Sequence, residues 1–385
     1  MGKKADKLRN TAAAFGIGVI LGVGIIGMCV VVPSLKTFVK TAAGHGFWFF
    51  MAGWIGFMVL LAVAAFVQIV LHEAGHLVFG LMTGYRFVSF RIGSFVLVRD
   101  DKGYGLRRFS IAGTGGQCLL EPPSTLGETF PYRLYCMGGV AVNLLTAIAA
   151  YVVVLVADIS PVWGLVLISL SISGFFIGLM NGIPMKVGGV PNDGHNLFFA
   201  GRTPEMLRAL WLQLKVNALQ TRGERLRDMP DEWFEVPSDA DLSNYMYTAV
   251  AGMAASRLLE ERRIGEAREM FRRIDEAGAG SVSVYRMEVA CELLFIEIIT
   301  GCDRTAAERM FTPEIRRYAD IYSRYMLSRV RLLYAYARFV EKDDAKAAAL
   351  YERAVKMVAQ SPSKGDAEAE MEMIEWVKGL AVCNS

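Results

Sequence analysis

The sequence predicts a mainly α-helical protein: a polytopic membrane helical bundle of about four spans with a membrane-associated β-hairpin, followed by a cytoplasmic α-helical repeat domain. Three observations carry this prediction. The 385 residues are 54% hydrophobic with a mean hydropathy of +0.35, more apolar than an ordinary soluble chain. Four apolar stretches, residues 12 to 33, 47 to 82, 134 to 157 and 162 to 181, meet or approach the roughly 20 residues that cross a hydrocarbon core. Charge is concentrated elsewhere: residues 10 to 34 hold no Lys, Arg, Asp or Glu, whereas the chain after about Arg202 is dense in both signs. The division expected is an N-terminal transmembrane anchor and outer loop over 1–46, a membrane core over 47–201 and a helical-repeat domain over 202–385. A net charge of +3 with intermixed signs excludes nucleic-acid binding through a broad basic footprint.

In chain order, Lys3, Lys4, Lys7 and Arg9 precede an apolar run too long for a signal-peptide core and lacking a small-residue cleavage site, so an uncleaved first span is expected. Gly18 and Gly22, with Ala14 one turn earlier, form a small-residue face on which another helix can pack. The connection between the second and third spans carries Arg86, Arg91, Arg99, Lys102, Arg107, Arg108 and Arg133, whereas residues 158 to 161 carry no basic residue. Basic loops stay cytoplasmic, which puts both termini in the cytoplasm of a multi-pass protein, expected in a bacterial cell membrane. The six cysteines form no CxxC pair, in keeping with reduced thiols on that side.

Residues 85 to 97 and 104 to 111, separated by Asp100, Asp101 and Gly103, predict a β-hairpin whose edge could accept an extended peptide as an added strand. Residues 113 to 116 and Pro122-Pro123 are expected to break any further regular element. Farther on, Ala267, Ala307 and Ala347 recur at a 40-residue spacing, each followed four residues later by Phe271, Phe311 or Tyr351 and preceded by Ala255, Phe295 or Ala335. A small residue at a helix crossing with an aromatic one turn later describes stacked helical hairpins resembling tetratricopeptide-type repeats. Such a surface could receive a cytoplasmic protein partner.

The chemistry is concentrated in His72-Glu73-Ala74-Gly75-His76, in a chain with only four histidines. On a helix the two histidines lie one turn apart on one face and can share a metal ion, with Glu73 placed to take a proton from water. A zinc ion in such a site lowers the pKa of its water to about 7, which suits attack on a peptide carbonyl. Ionisable groups inside a span are costly, so three of them within five residues mark a site. A catalytic centre needs a third protein ligand. Asp193 is the candidate, in a segment where Pro184, Gly188, Gly189 and Pro191 interrupt the helix, and His195 is its rival. Asn143, near the entry of the third span, could stabilise an oxyanion or make an interhelical hydrogen bond. Asn181 and Gln117 are weaker candidates.

These residues resemble the site-2 protease family of intramembrane metalloproteases. The likeness covers about residues 47 to 200 and rests on His72 to His76 in an apolar helix, on Asn181, Pro184, Asp193 and Gly194, and on Gly139 to Asn143. It implies one Zn2+ per chain held by His72, His76 and Asp193, with Glu73 as general base and Asn143 at the substrate or oxyanion. The interval from Pro184 to Asp193 is longer than the family's, and Val140 stands where a proline is common. The expected activity is zinc-dependent endopeptidase cleavage of the transmembrane segment of a membrane-anchored protein or peptide precursor. The alternative is a non-catalytic membrane scaffold with a vestigial or structural metal site, whose repeats recruit a partner. A metal transporter would need a polar path that the first and third spans do not offer.

Overall fold

The computed structural model describes residues 37, 40–41, 44–100, 103–109, 115–123, 130–187, 190–278, 283–301 and 304–381. The expected first span, residues 12 to 33, lies outside them, as do Cys29, Cys302 and Cys383. The described residues form two compact units, one of residues up to Tyr85 with 130–201, the other of residues 86–129 with 202 onward.

The first unit is built on three helices long and apolar enough to cross a membrane: α1 (Phe47–Met82), α2 (Tyr132–Val156) and α3 (Pro161–Gly182). Their polarity is reversed relative to a soluble bundle. Along α1 the exposed positions are Ile55, Val59, Val63 and Phe66, while the buried stripe is Phe57, Ala64, Gln68, His72, Gly75 and His76. Water would favour the opposite arrangement; lipid stabilises this one, because hydrocarbon accepts the apolar face and the interior satisfies the polar one. The buried faces of α2 and α3 are rich in Gly, Ala and Ser, including Gly138, Gly139, Ala147, Gly164 and Gly174. With little side-chain bulk the backbones approach closely.

After α3 the chain makes two short paired strands, β5 (Lys186–Val187) and β6 (Val190–Pro191), then enters a short helix, α4 (Asp193–Phe199). The break at Pro184 is as expected from sequence, and the interruption holds two short strands paired at Lys186–Pro191 and Val187–Val190.

In the second unit the chain between α1 and α2 forms a four-stranded antiparallel sheet where one hairpin was expected. Its strands are β1 (Arg86–Ile92), β2 (Phe95–Asp100), β3 (Gly103–Arg108) and β4 (Gly116–Glu121), in the order β3-β2-β1-β4. Gly93, at φ +57, turns β1 into β2 inside what read as one strand. The Gly-rich run before residue 116 delivers a further strand instead of ending regular structure, and Arg91 locks it by donating to the carbonyls of Gly93 and Gly116. Glu121 at the end of β4 is buried and pairs with Lys215 and Arg222 of α5 (Pro204–Arg222).

The remaining helices are α6 (Tyr245–Glu260), α7 (Ile264–Glu276), α8 (Ser283–Thr300), α9 (Arg304–Met310), α10 (Pro313–Tyr322), α11 (Leu327–Ala335), α12 (Asp344–Gln360) and α13 (Lys364–Gly379). The 40-residue register falls on the packed pairs α6–α7, α8–α9 and α11–α12. Ala267, Ala307 and Ala347 are all buried, as are Ala255, Phe295 and Ala335 on the preceding helices. A small side chain at each crossing lets the pair close, and Phe271 and Phe311 fill the space beside it. The helix α10 is an addition that the register did not foresee.

Candidate metal centre

Three close approaches at glycines bring His72, His76 and Asp193 together. A Cβ at Gly75 would stand 2.3 Å from the carbonyl oxygen of Gly138, and one at Gly138 would stand 2.5 Å from that of Gly75. The two helices α1 and α2 therefore cross backbone to backbone at the residue next to His76, and His72 lies close enough to Gly139 that a Cβ there would meet its ring at 2.6 Å. The third approach is at Gly194, where a Cβ would fall 2.1 Å from the Gly182 oxygen at the end of α3. Glycine at 194 is what allows α4 to begin against α3.

Asn192 closes the loop that carries Asp193. Its side-chain amide donates to the carbonyls of Met180 and Ile183, both at 2.7 Å, and its Oδ1 accepts from the backbone of Met185 and His195 at 3.0 and 2.9 Å. The residue that caps α4 is thus Asn192, which leaves the carboxylate of Asp193 at the next position available. The longer interval after Pro184 is taken up by the β5–β6 hairpin, and Asp193 returns to α1 despite it.

The result is a triangle of donor atoms. Nε2 of His72 and Nε2 of His76 are 3.2 Å apart, and Oδ2 of Asp193 lies 3.0 Å from the first and 3.3 Å from the second. A tetrahedral centre with bonds of about 2.0 Å has edges of about 3.3 Å, so the three atoms stand as the corners of one tetrahedral face. The set fits a zinc-sized ion: two imidazoles and one carboxylate are donor types that such an ion takes. Among the described residues this is the group of His, Cys, Asp and Glu able to hold a metal. His195 is no part of it; buried, it stacks on Phe199 at 4.5 Å between ring centres.

The outer ring nitrogens set the tautomers. Nδ1 of His76 lies 2.7 Å from the backbone oxygen of Tyr135, which can only accept, so Nδ1 carries a proton and in the neutral ring the lone pair is on Nε2. Nδ1 of His72 lies 2.7 Å from Oδ1 of Asn143. That oxygen faces the ring because the Asn143 amide nitrogen donates to both the backbone oxygen and Oε1 of Gln68, each at 2.8 Å. Gln68 also accepts from Thr146 at 3.2 Å and donates to the Leu170 carbonyl of α3 at 3.0 Å. A buried relay thus runs from α3 through Gln68 and Asn143 to His72, with Gln68 and Asn143 both fully enclosed.

Of the two readings of Asn143, the geometry gives the interhelical hydrogen bond. Both its N–H groups are spent on Gln68, so none is left for an oxyanion. Glu73 is buried beside the two histidines on α1. The Asn181 side chain donates to the Ile177 carbonyl of its own helix, and Gln117 lies in β4 of the other unit. Gln68 and the Tyr135 carbonyl were missed in the sequence. A lone glutamine one turn before His72 in an apolar span was a legible signal. A backbone carbonyl carries none.

The chain was compared with known protein families, with curated proteins and with solved structures, and none of the three matches it.

Proposed function

We propose that this protein is a metal-dependent endopeptidase that works at membrane depth on a membrane-anchored protein or peptide, with zinc as its metal. The observation that carries this reading is the triangle of His72, His76 and Asp193 donor atoms with Glu73 next to it on a helix able to cross a membrane. The zinc, when bound, supplies Lewis acidity and water acidified to about pKa 7. In this reading Glu73 accepts the proton of the attacking water and returns it to the leaving amine. Asp193 offsets the ion's charge in a site of low polarity, and Asn143 and the Tyr135 carbonyl hold the rings. On a continuous α1, His72 is ten residues from Met82, about 15 Å along the helix, which supports a reading in which the chemistry lies within the bilayer near one face. A substrate helix must unwind there, because its carbonyls are engaged in its own hydrogen bonds.

Two features support a catalytic over a structural metal. A structural site is closed by four protein ligands, whereas three candidates are gathered here among the described residues. A structural ion also needs no neighbouring carboxylate of the kind Glu73 provides. We read the helical pairs of the second unit as tetratricopeptide-like and as the surface for a cytoplasmic partner.

The test uses full-length protein in detergent with a membrane-anchored substrate library. Wild type is expected to carry one zinc per chain by mass spectrometry and to cleave; Glu73→Gln should keep the zinc and lose turnover by a factor of about 100 or more. Equal cleavage by both would remove the peptidase reading, and zinc retention by His76→Ala would remove the metal centre.

A further inference from the structure

The four-stranded sheet has two unlike faces. Cross-strand partners point to the same side, so the pairings of Leu97 with Phe90 and Leu106, of Phe95 with Ile92 and Arg108, and of Arg99 with Tyr104 gather these side chains on one face of β1, β2 and β3. The opposite face, with Ser89, Arg91, Val96 and Val98, is the buried one.

The first face is apolar and open. Phe95 is 51% exposed, Tyr104 67% and Leu106 71%, with Leu97 exposed between them and Phe90 and Ile92 half-buried alongside. Phe87 extends the patch, its ring centre 5.9 Å from that of Tyr104. At its margin β3 is the edge strand of the sheet. Folded domains in water blunt such edges and cover such faces, and contiguous exposed apolar surface marks an interaction site. The charge on this face is of one sign: it carries Arg99 and Arg108 and no carboxylate. Neither arginine forms an ion pair among the described residues; the Arg99 guanidinium lies 5.9 Å from the Tyr104 ring centre and that of Arg108 5.2 Å from the Phe95 ring centre.

Two observations decide what covers the face. The chain leaves α1 at Met82 and enters β1 at Arg86, a tether of at most about 14 Å, so a bilayer crossed by α1 is within reach of the sheet. The composition, rings and aliphatic side chains interleaved with unpaired arginines, suits the boundary between acyl chains and headgroups, where the apolar parts are buried and the cation meets phosphate. A second copy of the same face would set arginine against arginine.

We propose that this face is a lipid-binding surface for anionic phospholipid. Phe95, Leu97 and Leu106 enter the outer acyl layer, Tyr104 stands at the headgroups, and Arg99 and Arg108 receive lipid phosphates. A membrane-associated hairpin is the expectation from sequence; the register adds which face, which residues and which lipid charge. The inference rests on α1 to α3 being membrane spans and is independent of the metal centre and of the peptidase reading.

The experiment uses the full-length chain, one copy per nanodisc, with the photo-crosslinker p-benzoylphenylalanine in place of one exposed apolar residue at a time. The positions are Phe95 or Leu106 on the face, Val63 on α1 and Val355 on α12. Discs of phosphatidylcholine alone are compared with discs that also contain phosphatidylglycerol, and lipid adducts are measured by mass spectrometry. Val63 is expected to label lipid in both discs and Val355 in neither. At Phe95 and Leu106 the adduct yield should rise about tenfold or more with phosphatidylglycerol, the effect of two arginines at an anionic surface. Added salt should shrink that rise, because the charges are exposed. Arg99→Gln combined with Arg108→Gln should return the yield to that of phosphatidylcholine alone. Adducts at Val63 with none at Phe95 and Leu106, adducts at those two positions to protein only, adducts at Val355 as strong as at Leu106, or equal yields in the two discs overturn the proposal. No adduct at Val63 overturns the span reading on which it rests, and the proposal with it. The two discs are compared with both arginines in place, so the outcome does not depend on the double variant folding.

Discussion

Replacing Gln68 by Leu tests the relay that orients His72. The substitution removes Oε1, which receives Asn143 at 2.8 Å and Thr146 at 3.2 Å, and Nε2, which ties the pair to Leu170 at 3.0 Å. Asn143 then keeps only the Gln68 backbone oxygen, and its amide can turn to present N–H to the ring of His72. That orientation sets donor against donor and withdraws Nε2 from the metal face. Loss of such outer support costs 10- to 100-fold in metal affinity, about 1.4 to 2.8 kcal/mol. The assay is apparent zinc affinity by chelator competition, measured for the wild type, Gln68→Leu, Asn143→Asp and the double variant. Aspartate at 143 presents oxygen on both sides and needs no orienting, so Gln68→Leu should cost little affinity in that background, and could restore some by removing Oε1 from a carboxylate. An equal loss in both backgrounds would show that Gln68 merely fills space, and would refute the relay.

Further outcomes follow from other parts of the molecule. Gly75→Ala should push α1 from α2, lowering the midpoint of thermal unfolding in detergent and abolishing zinc binding, at an overpacking cost of about 1 to 3 kcal/mol. Gly56→Ala on the same helix, where a Cβ meets nothing, should be neutral or slightly stabilising. Glu260 is held up to about 7 in the fold, against a normal carboxylate value when unfolded, so the native state retains a proton that the unfolded chain releases. Its contribution is therefore fully present below the unfolded value and is lost as pH rises through 7. Hydrogen-exchange protection in the helical unit, taken relative to the intrinsic exchange rate at each pH, should be greater at pH 6 than at pH 8, and Glu260→Gln should flatten that difference. Glu370, Arg225 and Arg227 act on the same group and are unchanged in that variant. Glu292→Gln strips the shared partner of Arg329 and Arg331, both almost fully buried, and should destabilise the unit by about 3 to 5 kcal/mol in denaturant unfolding.

The spans around 47–82, 134–157 and 162–181 were legible to within two residues, because lipid demands a long uninterrupted apolar run and composition alone reports it. His72, Glu73 and His76 were legible for a related reason: a helix makes i and i+4 neighbours, so their geometry is local. The 40-residue register was equally local in origin, each alanine and aromatic pair belonging to one helical crossing. Where pairing depends on partners distant in the chain, the reading from sequence stopped short. One hairpin was expected where four strands assemble, since β4 is recruited across a Gly-rich segment by pairing with β1.

Within the candidate site, composition and spacing by themselves determined that two histidines and a glutamate share one helix long and apolar enough to cross a membrane, and that Asp193 was the carboxylate available to join them. Tertiary structure decided the rest. It closed the long loop after Pro184 through four hydrogen bonds of Asn192, it turned Asn143 into the support of His72, and it added Gln68 and the Tyr135 carbonyl. The physical reason is that a tautomer is set by whichever atom faces the outer ring nitrogen. That atom arrives from another helix 59 or 71 residues away, at a distance no local pattern encodes.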